Sequence, residues 1–326
     1  MKRPVIFSLL AMLVLAAPLS ARELSLAYFM GAPHPMNAAV FTPFSERVAE
    51  LSGGQLTIKH YPGGALNSVP PKQYSIVVDG VADIAFALPG YTGEIFPMTN
   101  VIGLPGLCAT ATECTQALIR AREALETEYD AKLLAIWSNA PPVLITRDRA
   151  VRSLEDMRGL TLRVASRQEA RFVAALGASA VAQPVDVIQQ NLANGVIDGI
   201  VIDPSGIASF QLFEAGKYVT DWFPGSGTAF VLLMNRDTYN SLSPAEKGWI
   251  DTAADEALML AGAAAYDRAG AGGMKAALEK GMEIITLSDE AKASFEAAIT
   301  PALAEAMTEA AGMMRVGDVV GLMTGK

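Results

Sequence analysis

The chain has 326 residues, with 25 Lys and Arg against 34 Asp and Glu for a formal net charge of −9, and 51% of it is hydrophobic. That composition excludes intrinsic disorder and leaves length for two domains with their own cores. The acidic balance, with no basic run longer than a pair, argues against a nucleic-acid partner. Two His and two Cys all but exclude the usual zinc sites and confine imidazole catalysis to His34 or His60.

Met1-Lys2-Arg3 is a basic start, Pro4 to Leu19 is apolar, and Pro18 with Ser20-Ala21 closes the segment before Arg22. This order predicts a signal peptide over residues 1–21, cleaved after Ala21, and a protein exported to the periplasm. Its apolar stretch is shorter than the ~20 residues that span a bilayer. Later apolar runs are interrupted by charge, Gly or Pro.

A first helix is predicted from Val40, Phe41, Phe44, Val48 and Leu51, with Pro43 near its start and Gly53-Gly54 at its end. Leu56-Thr57-Ile58-Lys59 then alternates as a strand. Asp79-Gly80-Val81-Ala82-Asp83 ends a helix and opens the apolar strand Ile84 to Leu88. Cys108 and Cys114 are six positions apart, outside any C-x-x-C frame; in an exported chain they are expected to form a disulfide, two reduced buried thiols being the alternative.

The same order returns in the second half. Leu160-Thr161-Leu162-Arg163 echoes the first strand, Ala170, Val173, Ala174 and Leu176 lead to Gly177, and Asn194-Gly195-Val196-Ile197-Asp198 opens Gly199 to Ile202. Thr228 to Asn235 reads as a further strand, so the chain crosses between lobes more than once. Ser243-Pro244-Ala245-Glu246 is a capping box. It opens an Ala-rich helix that Gly270, Gly272 and Gly273 are expected to interrupt. The stretch from Ser288 to Met314 is helical, with a break expected at Pro301. The fold class is therefore α/β with two lobes, residues 22–146 plus about 230–270 and residues 147–229 plus about 271–326. Such a body closes on a ligand held in the crevice at the carboxyl ends of strands.

Arg163 is the leading candidate for binding. It lies opposite the alternating aliphatics of its strand, next to a helix start, and a guanidinium there offers a carboxylate two parallel N–H donors. The alternative is a surface ion pair, as for Arg152, Arg158, Arg167 and Arg171 nearby. Ser166 offers a hydroxyl to a ligand or caps the next helix. His34, just before the first helix, is either an anion contact or an ordinary loop residue. Tyr91 and Trp137 follow buried-looking strands and are candidates for pocket walls or for core. Asp203 either contacts ligand or caps a helix. There is no G-x-S-x-G, no P-loop and no G-x-G-x-x-G between a strand and a helix, so no enzyme is predicted.

Several motifs together resemble the periplasmic substrate-binding proteins of tripartite ATP-independent periplasmic (TRAP) transporters, the DctP-like family. They are His34-Pro35, Ser52-Gly53-Gly54-Gln55-Leu56, Tyr61-Pro62-Gly63-Gly64-Ala65-Leu66, Asp79 to Asp83, Gly103-Leu104-Pro105, Asp156 to Arg163, Asn194 to Gly199 and Met234-Asn235. The resemblance implies a clamshell with a long helix bridging both lobes, and delivery of an organic acid to two integral membrane subunits. It places the family's carboxylate-binding arginine on Arg163 and the polar residue after it on Ser166. Against sialic-acid-binding members, a second arginine, an acidic residue and an asparagine become Tyr91, Leu88 and Met36. Another arginine becomes Val143, a pocket aromatic Val185, and the Gly of a Gln-Leu-Gly turn Asn67. One arginine among apolar walls suits a monocarboxylate, such as a 2-oxo or 2-hydroxy acid, because a second buried carboxylate without a partner costs several kcal/mol. The alternatives are a C4-dicarboxylate or another carboxylate, or a periplasmic sensor feeding a receptor. No cofactor is expected, and a bridging cation is not predicted.

Overall fold

The computed structural model describes residues 21–326, so the expected signal peptide, apart from its last residue, lies outside the described residues. In the first half β1 (Arg22–Ala27), β2 (Leu56–Tyr61) and β3 (Ile84–Ala87) run parallel, with β1 between the other two. A π-helical turn over Asn37–Phe41 leads into α1 (Thr42–Leu51). That wide turn lies just upstream of Pro43, whose position lacks the N–H of a regular ladder. Then come α2 (Gln73–Val78), α3 (Ala111–Glu126), which the Thr110 hydroxyl caps by accepting from the Glu113 N–H, and β4 (Ala131–Ser138).

The second half contains β5 (Val143–Thr146), β6 (Thr161–Val164), α4 (Arg167–Ala175), β7 (Ser179–Ala182), α5 (Ile188–Ala193), β8 (Gly199–Ile202), α6 (Ser205–Ser209) and β9 (Tyr218–Thr220). The chain returns through β10 (Ala229–Asn235) to α7 (Arg236–Ser241), α8 (Pro244–Ala253) and α9 (Glu256–Glu279). It ends with β11 (Glu283–Ile285), α10 (Asp289–Thr308) and α11 (Val316–Thr324). These strands form a five-stranded sheet in the order β2-β1-β3-β10-β4 and a six-stranded sheet in the order β11-β9-β5-β8-β6-β7, and Ala310–Ala311 pairs with Met314–Arg315 in a small separate ladder.

The sequence echo has a structural meaning. Gly80 and Gly195 both sit at φ +70, where a glycine turns the chain from helix to strand without a Cβ clash. Three residues later Asp83 accepts from the Ser25 N–H of β1 at 2.8 Å, and Asp198 accepts from the Thr161 N–H of β6 at 2.8 Å. In each lobe an aspartate pins the strand beside it.

Two lobe boundaries differ from the expected ones. Residues 143–146 belong to the second sheet, where β5 pairs antiparallel with β8 and β9. The crossing lies at Asn139-Ala140-Pro141-Pro142, where two residues without N–H groups cannot extend either ladder. α11 packs chiefly on α3 of the first lobe, with α10 alongside it, and Arg120 Nε donates to the Met323 carbonyl at 2.6 Å. Hydrophobic periodicity gives α11 an apolar face but not the face it meets.

The predicted helix breaks are also absent. α9 runs unbroken through its glycines, which serve close approach: a Cβ on Gly262 would lie 3.1 Å from the Trp137 ring, and one on Gly273 1.9 Å from the Pro204 carbonyl oxygen. α10 likewise continues through Pro301, with the Thr300 hydroxyl donating to the Glu296 carbonyl at 2.8 Å. Gly273→Ala is therefore expected to destabilise the protein by about 1–3 kcal/mol in denaturant melts. Gly272→Ala, whose Cβ would meet nothing within 4 Å, should be stabilising by roughly 0.5–1 kcal/mol. Equal effects at the two positions would contradict the packing explanation.

Candidate functional site

Arg163 is the third residue of β6, with Leu162 and Val164 fully buried on either side of it in the chain. Its side chain turns into a cavity between the lobes and is 2% exposed. Nε donates to the Gln183 carbonyl at 2.9 Å and Nη1 to the Val201 carbonyl at 3.4 Å. A guanidinium has five N–H groups; the two main-chain carbonyls and the Tyr91 hydroxyl beside it engage part of that capacity and leave the rest for an anion. The Tyr91 hydroxyl lies beside it and accepts from the Val185 N–H at 3.1 Å, a bond that joins the two lobes. Burial raises the Tyr91 pKa against the opposing pull of the Arg163 charge and that N–H.

Glu169, in the first turn of α4, faces the same cavity. It accepts from the Ala165 N–H at 3.2 Å and the Ser166 hydroxyl at 3.0 Å. Burial pushes its carboxyl above the ordinary range even though Arg163 pulls the other way. Asp203, just past the end of β8, is a second buried acid. Its Oδ2 accepts from Asn139 Nδ2 at 2.9 Å, and its Oδ1 accepts from the Ser205 N–H at 3.0 Å and from the Ser205 hydroxyl. Burial raises its pKa against those three donors.

The walls are aromatic. Phe29, Phe86, Phe172, Phe223, Phe230 and Tyr266 all line the cavity. Phe86 and Phe230 stack with centroids 5.5 Å apart and planes 18° apart, and Phe230 and Tyr266 stack at 5.0 Å and 14°. Among the described residues Arg163 is the only Arg or Lys lining it. In an adjoining cleft, Arg167 of α4 pairs with Glu94 of the first lobe at 2.8 Å.

Of the residues singled out in the sequence, Arg163, Tyr91, His34, Leu88, Val185 and Asp203 come together around this cavity. Five do not line it. Ser166 caps α4, its oxygen accepting from the Glu169 N–H at 3.3 Å, because the helix starts there and leaves that N–H unpaired. Trp137 is fully buried behind Phe86 and Phe230, and its Nε1 has no partner among the described residues. Met36 is fully buried core, and Val143 lies in the apolar cluster of the second sheet. Asn67 folds onto its own loop, Oδ1 accepting from the Val69 N–H at 2.9 Å. Glu169, Asn139, Tyr266 and the phenylalanines were not found from sequence. Only Glu169 carried a signal, as the third residue after a capping serine.

Cys108 and Cys114 are bonded, with Cα atoms 5.2 Å apart. They close the loop before α3, where Ser226 Oγ accepts from the Leu107 and Cys108 N–H groups. Among the described residues no three His, Cys, Asp or Glu side chains are grouped to hold a metal ion, and no helix is long and apolar enough to cross a membrane.

Residues 26–310 match the model of the DctP family, the bacterial extracellular solute-binding proteins of family 7. The chain belongs to that family. A TRAP solute-binding protein from a marine metagenome, described as specific for aromatic acid ligands and solved with 3-hydroxybenzoate, is 30% identical with a TM-score of 0.86, over 94% of this chain and 99% of its own. One from Rhodoferax ferrireducens, solved with copurified benzoate, is 25% identical with a TM-score of 0.85, over 94% and 98%. The outer membrane transporter protein TsaT of Comamonas testosteroni is 24% identical over 257 residues, 77% of this chain and 75% of its own. Family and fold are those of TRAP substrate-binding transport proteins: extracytoplasmic, carboxylate-binding, and working with membrane subunits.

His34 gives the site a pH signature. Its Nδ1 accepts from the Met36 N–H at 3.4 Å, which assigns the neutral ring's proton to Nε2, and burial lowers its pKa to about 4. An unfolded histidine, with a pKa near 6.5, takes the proton first. The stability that His34 contributes is thus complete above about pH 6.5 and is lost as pH falls toward 4. Glu169 and Asp203, with raised pKa values, act in the opposite sense, so the difference between two variants isolates the ring. Thermal melts should show His34→Gln losing less Tm than wild type between about pH 7 and pH 4. Parallel profiles would reject the assignment.

Proposed function

We propose that the protein is a periplasmic TRAP solute-binding protein that captures an aromatic monocarboxylate, without cofactor and without transforming it. The carboxylate lies on the unpaired N–H groups of Arg163 and the aryl group against the Phe86–Phe230–Tyr266 stack. The lobes close over the ligand and present it to the membrane subunits. The observation that carries this reading is the pairing of one buried guanidinium with a cavity walled by rings.

Physical chemistry supports each part. A buried cation is costly to leave without an anion, and a carboxylate matches its fork in two parallel bonds. Ring faces favour another ring by offset or edge contact beyond the area buried. A C4-dicarboxylate would bring a second charge that meets no further Arg or Lys in the cavity among the described residues. An aryl 2-hydroxy acid satisfies both the charge argument and the walls. The aromatic ligands of the marine and Rhodoferax relatives agree with this choice.

Calorimetry with benzoate and mandelate tests the reading. Wild type should bind at least one of them, succinate should bind far more weakly, and Arg163→Ala should cost at least about 100-fold in affinity. Arg163→Lys should also weaken binding, since a single ammonium cannot reproduce the fork. Undiminished affinity in the alanine variant would reject Arg163 as the anchor.

A further inference from the structure

We propose that the cavity binds a proton together with its organic acid: as the ligand's carboxylate reaches Arg163, the Glu169 carboxyl takes up a proton and yields its place as counter-charge. This rests on the aromatic-monocarboxylate reading above and adds a second, smaller occupant to the same site.

Charge counting motivates it. Among the described residues the cavity is lined by one guanidinium, Arg163, and two carboxyls, Glu169 and Asp203. Both acids stand close to the cation. Glu169 folds back across the turn to accept the Ala165 N–H, two residues past Arg163. Asp203 lies two residues past Val201, whose carbonyl accepts from Arg163 Nη1. With both acids ionised the site is already net negative, and an arriving anion would place three carboxylates around one cation. Like charges sharing a site raise one another's affinity for a proton until one of them is neutral. The balance closes: one ligand anion and one proton from solvent enter, and the complex keeps the charge the site had before.

Hydrogen bonding selects which acid responds. Asp203 is held by donors that cannot reverse, the Ser205 N–H on Oδ1 and Asn139 Nδ2 on Oδ2, the Asn139 oxygen being committed to the Thr228 N–H. A proton on either Asp203 oxygen would face one of those donors. Glu169 differs. Its Oε1 lies 3.0 Å from the Ser166 hydroxyl, which both donates and accepts, so that bond survives with the proton on Oε1 and the hydroxyl turned away. Burial already raises the Glu169 pKa against the pull of Arg163, before any ligand charge is added.

The groups around Glu169 leave it to titrate alone near neutral pH. Tyr91, from the turn after β3, and Tyr266 of α9 are both raised above the ordinary phenol range, and His34 sits at about 4. On α4 itself Arg167 and Arg171 pair with Glu94 and Glu309 in the adjoining cleft. The Thr99–Gly103 turn, β7 and the Gly227–Thr228 crossing carry no titratable side chain.

Titration calorimetry with benzoate and mandelate, between about pH 6 and pH 9 in phosphate and in Tris, measures the proton because the two buffers release it with different heats. Wild type should take up at least about half a proton per ligand within that window, and its affinity should fall by up to about tenfold per unit as pH rises. Glu169→Gln, which mimics the neutral acid, should take up less than about 0.2 of a proton and bind at least about threefold tighter than wild type at the alkaline end. Glu169→Ala should lose the uptake as well, which keeps the test decisive if the glutamine variant folds poorly. Arg163-dependent binding without proton uptake in wild type, or uptake that persists in the Glu169 variants, overturns this inference and leaves the aromatic-acid reading standing. If neither acid binds wild type, both fall together.

Discussion

The structure depends on keeping one guanidinium out of water. Removing a charge from solvent costs several kcal/mol even after relaxation, and Arg163 is almost wholly buried. Its surroundings offset only part of that cost, through two main-chain carbonyls, the Tyr91 hydroxyl and the charge of Glu169. Burial biases Glu169 toward the protonated form, which weakens it as a permanent partner. These partners leave part of the guanidinium's five N–H groups for an incoming anion. An anion held between low-dielectric walls interacts more strongly than it would in bulk solvent.

Holding that geometry falls to elements outside the cleft. β6 ends at Val164 and α4 begins at Arg167, so the Ser166 cap and the Glu169 carboxyl are placed by the same turn that follows Arg163. On the other side α9 spans from Trp137 of the first lobe, met at Gly262, to Pro204 of the second, met at Gly270 and Gly273. The helix contributes Tyr266 to the cavity and Asp267 to the start of α3, where it accepts from the Ala111 N–H at 3.0 Å. Small residues at its crossings let one rigid rod set the spacing of both halves.

The parts legible in the sequence are those governed by local rules. Alternation placed Arg163 opposite the aliphatics of its strand, helix-ending glycines marked the repeated turn into β3 and β8, and the apolar run of β10 announced a buried strand. What failed had a tertiary cause. Gly270 and Gly273 read as interruptions because helix propensity penalises glycine, whereas the deciding fact is a carbonyl oxygen on another element. Met36 and Val143 were carried to the site by likeness to other proteins, and both ended in core. Trp137 lies one layer behind the cavity wall, a distinction that a strand pattern cannot make. The phenylalanines come from segments far apart in the chain and had no common motif to reveal them.

The division of labour between the lobes bears on selectivity. The first lobe and its crossings supply the stacked rings, with Phe86 on β3, Phe230 on β10 and Tyr266 on α9. The second supplies the charges, with Arg163, Glu169 and Asp203 all on or next to the β6–β8 pair. A simple anion would satisfy the second lobe and leave the rings facing an unfilled cavity, while a neutral arene would fill it and leave the guanidinium unpaired. Only a molecule carrying both functions gains from the two surfaces meeting. A ligand shifts an equilibrium between open and closed forms only by its differential affinity for them. That difference is greatest when its two ends belong to different lobes, so in this architecture the requirement for closure is itself a filter on ligand chemistry.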